Sequence, residues 1–274
     1  METIVSVFCI WRDSEENILR TLKQLEDLEK LSTFSFSYFF YENDSKDKTR
    51  EILENWMKKR SGVFLSEDLN EVKFGSTTDP QRMKLLCECR NKCKNLAGEN
   101  NSNISLIIDS DIKFDTDNFL MQISDLNKLD SAVMITANVR QNIKDLVFNE
   151  SEDSYYDVYA FRDEHGTNGM YFSDCPSYKS SDQKSWSEGR PIITMSSFGG
   201  FAVLKSEVFN KVRWYSDIHC DHVNMCFDIS KHGRIYCEPK SKVYVEIDLS
   251  NLNLDSCKQI GIQQRQKYEQ FFKT

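Results

Sequence analysis

Two carboxylates, Asp109 and Asp111, close the apolar run Ile104-Ser105-Leu106-Ile107-Ile108. Side chains two apart on a strand share a face, so both can converge on one ion at the strand's carboxyl end. Oxygen ligands favour a hard divalent cation, Mg²⁺ or Mn²⁺, which keeps positions open for water and phosphate oxygens. Asp-x-Asp is a short pattern, and Asp and Ser also build polar turns, so the surroundings must decide between the two readings. Arg12 follows the first apolar run, Glu42, Asp44 and Asp47 follow the second, and Arg82 and Arg90 share a helical pattern. Guanidiniums and a cation offset charge on a departing diphosphate, and acidic or amide groups suit a base and ribose. Together these groups equip a site for a nucleoside-diphosphate donor.

The elements that must position them follow from periodicity. Residues 4–10 form a buried strand, and Asp13 with Glu16 makes a capping box for a helix carrying Ile18, Leu22, Leu25 and Leu28. The corner between them lacks the glycines of a dinucleotide fingerprint or a P-loop. A second strand spans 34–41, and a helix with Ile52, Leu53, Trp56 and Met57 follows the polar stretch 42–49. Asp44 and Asp47 would serve equally as caps of that helix. A short strand at 62–65 precedes a helix opening near Pro80, with Leu85, Cys89, Cys93 and Leu96 as its stripe. Arg82 extends that stripe and Arg90 lies at its edge. After the Asp109/Asp111 strand, 131–139 reads as another strand. The alternation predicts an α/β fold with a mixed, mostly parallel sheet flanked by helices.

Periodicity is lost over 140–190, where Tyr155, Tyr156, Tyr159, Phe161, Tyr171, Phe172, Tyr178 and Trp186 mix with charges. A segment this long without clear elements suits function, and its aromatics suit either sugar stacking or a small subcore. Thr194 to Leu204 is a turn feeding a strand, and its Gly199-Gly200 pair serves a ligand's close approach or a tight turn. His219 to Phe227 opens a helix, and a last strand pair is expected near 234–247.

Across 274 residues the net charge is −8, which disfavours non-specific nucleic-acid binding. The longest apolar runs are strand-sized, so no membrane span is expected, and the N-terminus has no leader pattern. Nine scattered cysteines suit reduced thiols, and Cys87, Cys89 and Cys93 lack zinc-knuckle spacing. Asn43, Asn103 and Asn149 each begin an Asn-x-Ser sequon, two of them flanking candidate site segments where a glycan would obstruct. A cytoplasmic location is expected, the host cytoplasm if the chain is viral. No linker, repeat or composition break appears, which predicts one domain over 1–274, with a nucleotide-sugar half near 1–139 and an acceptor half near 140–274.

The residues Tyr41 to Thr49, Arg82, Arg90-Asn91, Asp109-Ser110-Asp111, Gly199-Gly200 and Cys220-Asp221-His222-Val223 stand in an order that resembles a GT-A-fold glycosyltransferase. The set is most similar to the fungal capsule-associated mannosyltransferase-like family and related enzymes of large DNA viruses, over about residues 4–245. The resemblance implies that Asp111, with Asp109, holds Mn²⁺ or Mg²⁺ on the donor diphosphate. It implies that Glu42 or Asp44, with Arg12, meets the nucleoside, that Arg82 and Arg90 neighbour the diphosphate or the sugar of a UDP- or GDP-linked donor with Ser110 beside them, and that Gly199 and Gly200 border a carbohydrate acceptor. Asp221 would face the acceptor hydroxyl as general base if the anomeric centre inverts. His219 and His222 are weaker candidates for a metal ligand, and no histidine follows His232.

These residues lead to a metal-dependent transferase moving a sugar from a nucleoside diphosphate to a carbohydrate hydroxyl. A sugar-nucleotide pyrophosphorylase would need a Gly-rich loop where Trp11-Arg12-Asp13 stands, and a dehalogenase-like phosphatase a Thr or Val where Lys113 stands. A degenerate transferase kept as a sugar-binding scaffold is the remaining alternative.

Overall fold

Apolar runs bounded by polar corners become the strands that the alternation predicts. In the computed structural model, residues 2–71, 74, 79–141, 154–171, 173–216, 220–245, 259 and 263 are described. The chain begins β1 (Thr3–Trp11), α1 (Glu15–Leu28), β2 (Phe34–Asn43), α2 (Thr49–Met57), β3 (Gly62–Glu67), α3 (Pro80–Asn95) and β4 (Ile104–Asp109). It continues through β5 (Ile112–Lys113), α4 (Thr116–Lys128), β6 (Ala132–Gln141), β7 (Ser154–Tyr155), β8 (Arg162–Asp163) and α5 (Ser180–Ser187). The last elements are β9 (Ile192–Ser196), β10 (Phe201–Lys205), α6 (Ser206–Phe209), α7 (Asp221–Ser230) and β11 (Arg234–Val245).

All the strands join one sheet in the order β3-β2-β1-β4-β10-β6-β11-β9-β8, with β5 on β11 and β7 on β6. Strands β3, β2, β1 and β4 are mutually parallel, β10 runs antiparallel between β4 and β6, and β11 is parallel to β6. Strand order reverses between β1 and β4, and an open α/β sheet binds its ligands in the crevice beyond such a reversal. The carboxyl ends of β1 and β4 carry Trp11-Arg12 and Asp109 to that crevice. One apolar layer joins α1, α2 and α4 to the sheet through Leu22, Leu25, Leu53 and Phe119. The opposite layer joins α3, α6 and α7 through Cys87, Cys93, Phe209, Met225 and Ile229. The architecture is a single-domain α/β fold with a mixed, mostly parallel sheet between helices. Among the described residues no helix is long and apolar enough to cross a membrane.

Four local expectations change. Asp13 does not cap α1: Ser14 occupies the N-cap position without a side-chain bond, and Asp13 sits at φ 46°. The cap arrives from the next corner, where Asp47 accepts from the Glu15 N–H at 2.9 Å and from the Thr49 N–H at 2.9 Å. Glu15 and Asp13 return the exchange by accepting from the Lys48 and Lys46 N–H groups. Helix α3 buries Met83, Cys87, Cys89, Arg90 and Cys93, whereas Leu85 and Leu96 stay half-buried, because two carboxylates draw Arg90 inward. Helix α4 was not legible from apolar spacing, although Asp115 and Asn118 form a capping box at its start. The expected strand pair near 234–247 is one strand, β11, with a register shift between Glu238 and Lys242 beside Pro239.

Replacing Asp47 with Ala strands two N–H groups at once, and a urea denaturation curve is expected to show a loss of roughly 1–2 kcal/mol. A second prediction concerns Glu238, whose acid is pushed up to about 7 by burial and by the neighbouring Asp125 carboxyl. The fold favours the protonated acid, so this contribution is complete below the unfolded-state pKa and is lost as pH rises through about 7. Denaturation at pH 6 and 8 should show the drop in the native protein, and Glu238→Gln should flatten it.

Candidate active site

The crevice at the carboxyl ends of β1, β2 and β4 holds two adjoining cavities. The first, of about 480 Å³, is bordered by Arg12, Asn43, Leu85 and Cys89; the second, of about 390 Å³, by Tyr156, Asp157, Gly199, Gly200 and Asp221. Arg82, Arg90, Asp109 and Asp111 line both.

Arg90 is buried at the junction. Its Nε donates to Asp221 Oδ2 at 2.7 Å and its Nη2 to Asp109 Oδ1 at 2.9 Å. Burying such charges is costly unless each is paired, and one planar guanidinium here serves two carboxylates in different directions. Burial alone would lower the Arg90 pKa; the Asp109 and Asp221 carboxylates outweigh it and keep the guanidinium charged. Asp109 is held further by its N–H, which donates to the Gly200 carbonyl at 2.8 Å.

Asp111 follows on a turn pinned to α1: Thr21 Oγ1 donates to the Ser110 carbonyl at 2.9 Å and Arg20 to the Asp111 carbonyl at 3.0 Å. Burial, with Asp109 beside it, pushes the Asp111 acid up to about 6. Arg90 is already committed to Asp109 and Asp221, so a divalent cation would relieve the charge on this pair. No third His, Cys, Asp or Glu completes a metal cluster with them among the described residues. The two carboxylates fit a hard cation whose remaining positions go to water and phosphate oxygens.

The other expected site residues divide. Arg12 borders the first cavity and donates to the Glu71 carbonyl at 2.7 Å, and Ser110 lines it too. Glu42 and Asp44 are not among the residues lining these two cavities. Glu42 is sealed beneath the rim, accepting from Arg50 Nε at 3.0 Å, from the Ser45 N–H at 2.8 Å and from Ser66. Asp44, at φ 56°, accepts from the Asn70 and Glu71 N–H groups and so holds the turn after β3. Gly199 and Gly200 border the second cavity but are also required by packing. A Cβ on Gly199 would stand 2.7 Å from Val139, and one on Gly200, at φ 74°, 2.5 Å from Ile112.

Asp221 begins α7 and is buried. Burial alone would raise its pKa, but the Arg90 guanidinium bonded to it holds the carboxyl below the usual carboxylate range. A carboxylate so stabilised, with one oxygen on a guanidinium, is a weaker base than a free one, which counts against a general-base role. His222 has one ring nitrogen committed and the other, Nε2, 3.5 Å from Asp221 Oδ2. Its Nδ1 accepts from Trp214 Nε1 at 3.2 Å, its ring stacks on Phe198 at 3.7 Å, and burial lowers its pKa to about 4, so it is neutral. His219 lies outside the described residues. Missed from the sequence were Asn43 and Asp157. The Tyr155-Tyr156-Asp157 run was a signal, but attention went to its aromatics rather than its carboxylate.

A family model described as Cryptococcal mannosyltransferase 1 matches residues 12–233, which contain every one of these groups. The chain belongs to that family. It is a glycosyltransferase. No curated protein matches this mannosyltransferase-family chain in sequence. Among solved structures it is similar to S. aureus TarS 1-349, with TM-score 0.51 and 12% identity over 96% of this chain and 71% of that one. The same TarS fragment in complex with UDP gives 0.51 and 13%, over 99% and 71%. The mannosyltransferase PcManGT from Pyrobaculum calidifontis, in complex with GDP-Man and Mn²⁺, gives 0.51 and 12%, over 89% of this chain and 57% of that one. At such identities the likeness is one of fold, the GT-A fold.

Removing the shared cation should be severe. Arg90→Ala leaves the buried Asp221 and the half-buried Asp109 without their guanidinium and is expected to cost roughly 3–5 kcal/mol in a urea unfolding experiment.

Proposed function

We propose that this family member moves a sugar from a nucleoside-diphosphate sugar to a carbohydrate hydroxyl, with a divalent cation at Asp109 and Asp111. The observation that carries the reading is the sharing of Asp109, Asp111, Arg82 and Arg90 by both cavities. A donor lying in the first cavity would bring its diphosphate to that shared wall, where an acceptor in the second would meet its sugar. When bound, the cation offsets charge on the departing diphosphate. Arg82 adds a positive charge on the same wall, and Arg12 stands over the nucleoside end of the first cavity. Arg90 acts through Asp109, keeping one carboxylate oxygen turned to the ion-holding side. Asp221 acts through Arg90. A UDP- or GDP-linked donor is supported by relatives of this fold solved with UDP and with GDP-Man.

Thermal shift with UDP, GDP, CMP and their sugar conjugates, each with Mn²⁺, Mg²⁺ or EDTA, tests the reading. One nucleotide should raise the melting temperature in a metal-dependent way, by an amount equivalent to about 2.7 kcal/mol at a hundredfold excess over Kd. The shift should vanish in Asp111→Ala. A cooperative melt unmoved by every nucleotide would rule out the donor site.

A further inference from the structure

The second cavity carries a carboxylate that neither the metal pair nor the Arg90 bridge uses. Asp157 lies between β7 and β8 in the aromatic stretch, and its Oδ1 accepts from the Ala160 N–H at 3.3 Å. Among the described residues its other oxygen meets no donor and no cation pairs with it. Asp109, Asp111, Asp157 and Asp221 line this cavity against Arg82 and Arg90, and Arg90 already serves Asp109 and Asp221. Burial, with Asp109 and Asp221 nearby, pushes Asp157 up to about 7, the mark of a carboxylate lacking compensation. Tyr156 and Tyr171 line the same cavity and remain 38% and 39% exposed, while Tyr155 and Phe161 are buried in the core beneath.

An anionic group entering this space would meet the Asp157 carboxylate, and the Arg90 guanidinium beside it is already committed to Asp109 and Asp221. A neutral hydroxyl meets the opposite situation, a strong acceptor in a half-desolvated pocket. Hydrogen bonds to a charged partner are the stronger kind, and tyrosine rings suit the apolar face of a sugar.

We propose that the second cavity is the acceptor subsite for an uncharged sugar, in which Asp157 accepts a hydrogen bond from the reacting hydroxyl and Tyr156 and Tyr171 flank the ring. The proposal rests on the glycosyltransferase reading above and adds the acceptor's charge class and the residue that grips it. Asp157 thereby fixes where the hydroxyl oxygen sits relative to the sugar arriving from the first cavity. It also makes acidic sugars poor acceptors, because their carboxylate would face the Asp157 carboxylate.

The test uses the full chain with the nucleotide sugar and cation found by the binding screen. Donor hydrolysis without acceptor is measured alongside transfer to a panel of methyl hexosides and the matching methyl hexuronides, for the native protein, Asp157→Asn, Asp157→Glu and Tyr171→Ala. Expected are transfer to hexosides with a lower KM than to hexuronides, and a KM for the hexoside raised roughly tenfold to hundredfold in Asp157→Asn. The melting shift given by the nucleotide sugar and cation should match native, since the donor's residues are untouched, and Tyr171→Ala should raise the hexoside KM in the same selective way. Asp157→Glu, keeping the charge, should recover part of the affinity. An unchanged hexoside KM in Asp157→Asn overturns the proposal, as does parallel loss of the nucleotide-sugar melting shift, a preference for hexuronides, or hydrolysis without transfer to any hexoside. Absence of nucleotide binding in the native protein is a different result and removes the donor reading instead.

Discussion

The buried guanidinium of Arg90 is the constraint around which the crevice is built. It ties α3 to the end of β4 through Asp109 and to the start of α7 through Asp221. Neither carboxylate could be buried at this depth alone, because an ion taken from water without a partner carries several kcal/mol of penalty. Arg is suited to the position where Lys is not, since its planar fork sends separate donors along two directions. The pairing also explains the rotated face of α3, which turns a charged residue toward the core in preference to Leu85. Asp109 is thereby left with one oxygen committed and the other available beside Asp111.

A second set of interactions gives the first cavity its rim. The corners after β1, β2 and β3 each contain a non-glycine residue at positive φ, namely Asp13, Asp44 and Asn70. Such residues are tolerated where side-chain hydrogen bonds over-determine the backbone. Asp47 and Asp13 staple the first corner to the second, and Asp44 staples the second to the third. An acidic run that resembled a ligand-binding loop is therefore mostly a scaffold, and its effect on a bound nucleoside runs through the position of Arg12 and Asn43.

Carboxylates in this crevice thus separate by partner. Asp221 is held below the usual carboxylate range, Asp111 is raised to about 6, and Asp157 to about 7. Burial raises all three; what separates them is the cation within reach. Asp221 has a guanidinium bonded to it, whereas Asp111 and Asp157 have none in an ion pair among the described residues. The GT-A fold supplies the crevice, but the division of charge inside it belongs to this chain's own side chains.

The sequence by itself determined what depends on near neighbours. Apolar runs and their alternation gave β1, β2, β4 and β6, the α1 and α2 faces, and Asp109 at the end of β4, with Asp111 on the turn that follows. Order and spacing of the motifs also reached the right family. What only the tertiary structure decided was the partner of each charge. Asp221 meets Arg90 across 131 positions of chain, and Asp47 caps a helix 32 positions earlier. No local period records such pairings, and a carboxylate's role depends on whether a cation or water stands beside it after folding. Glu42, Asp44, Asp157 and Asp221 look alike in the chain, and burial with long-range pairing is what makes them different.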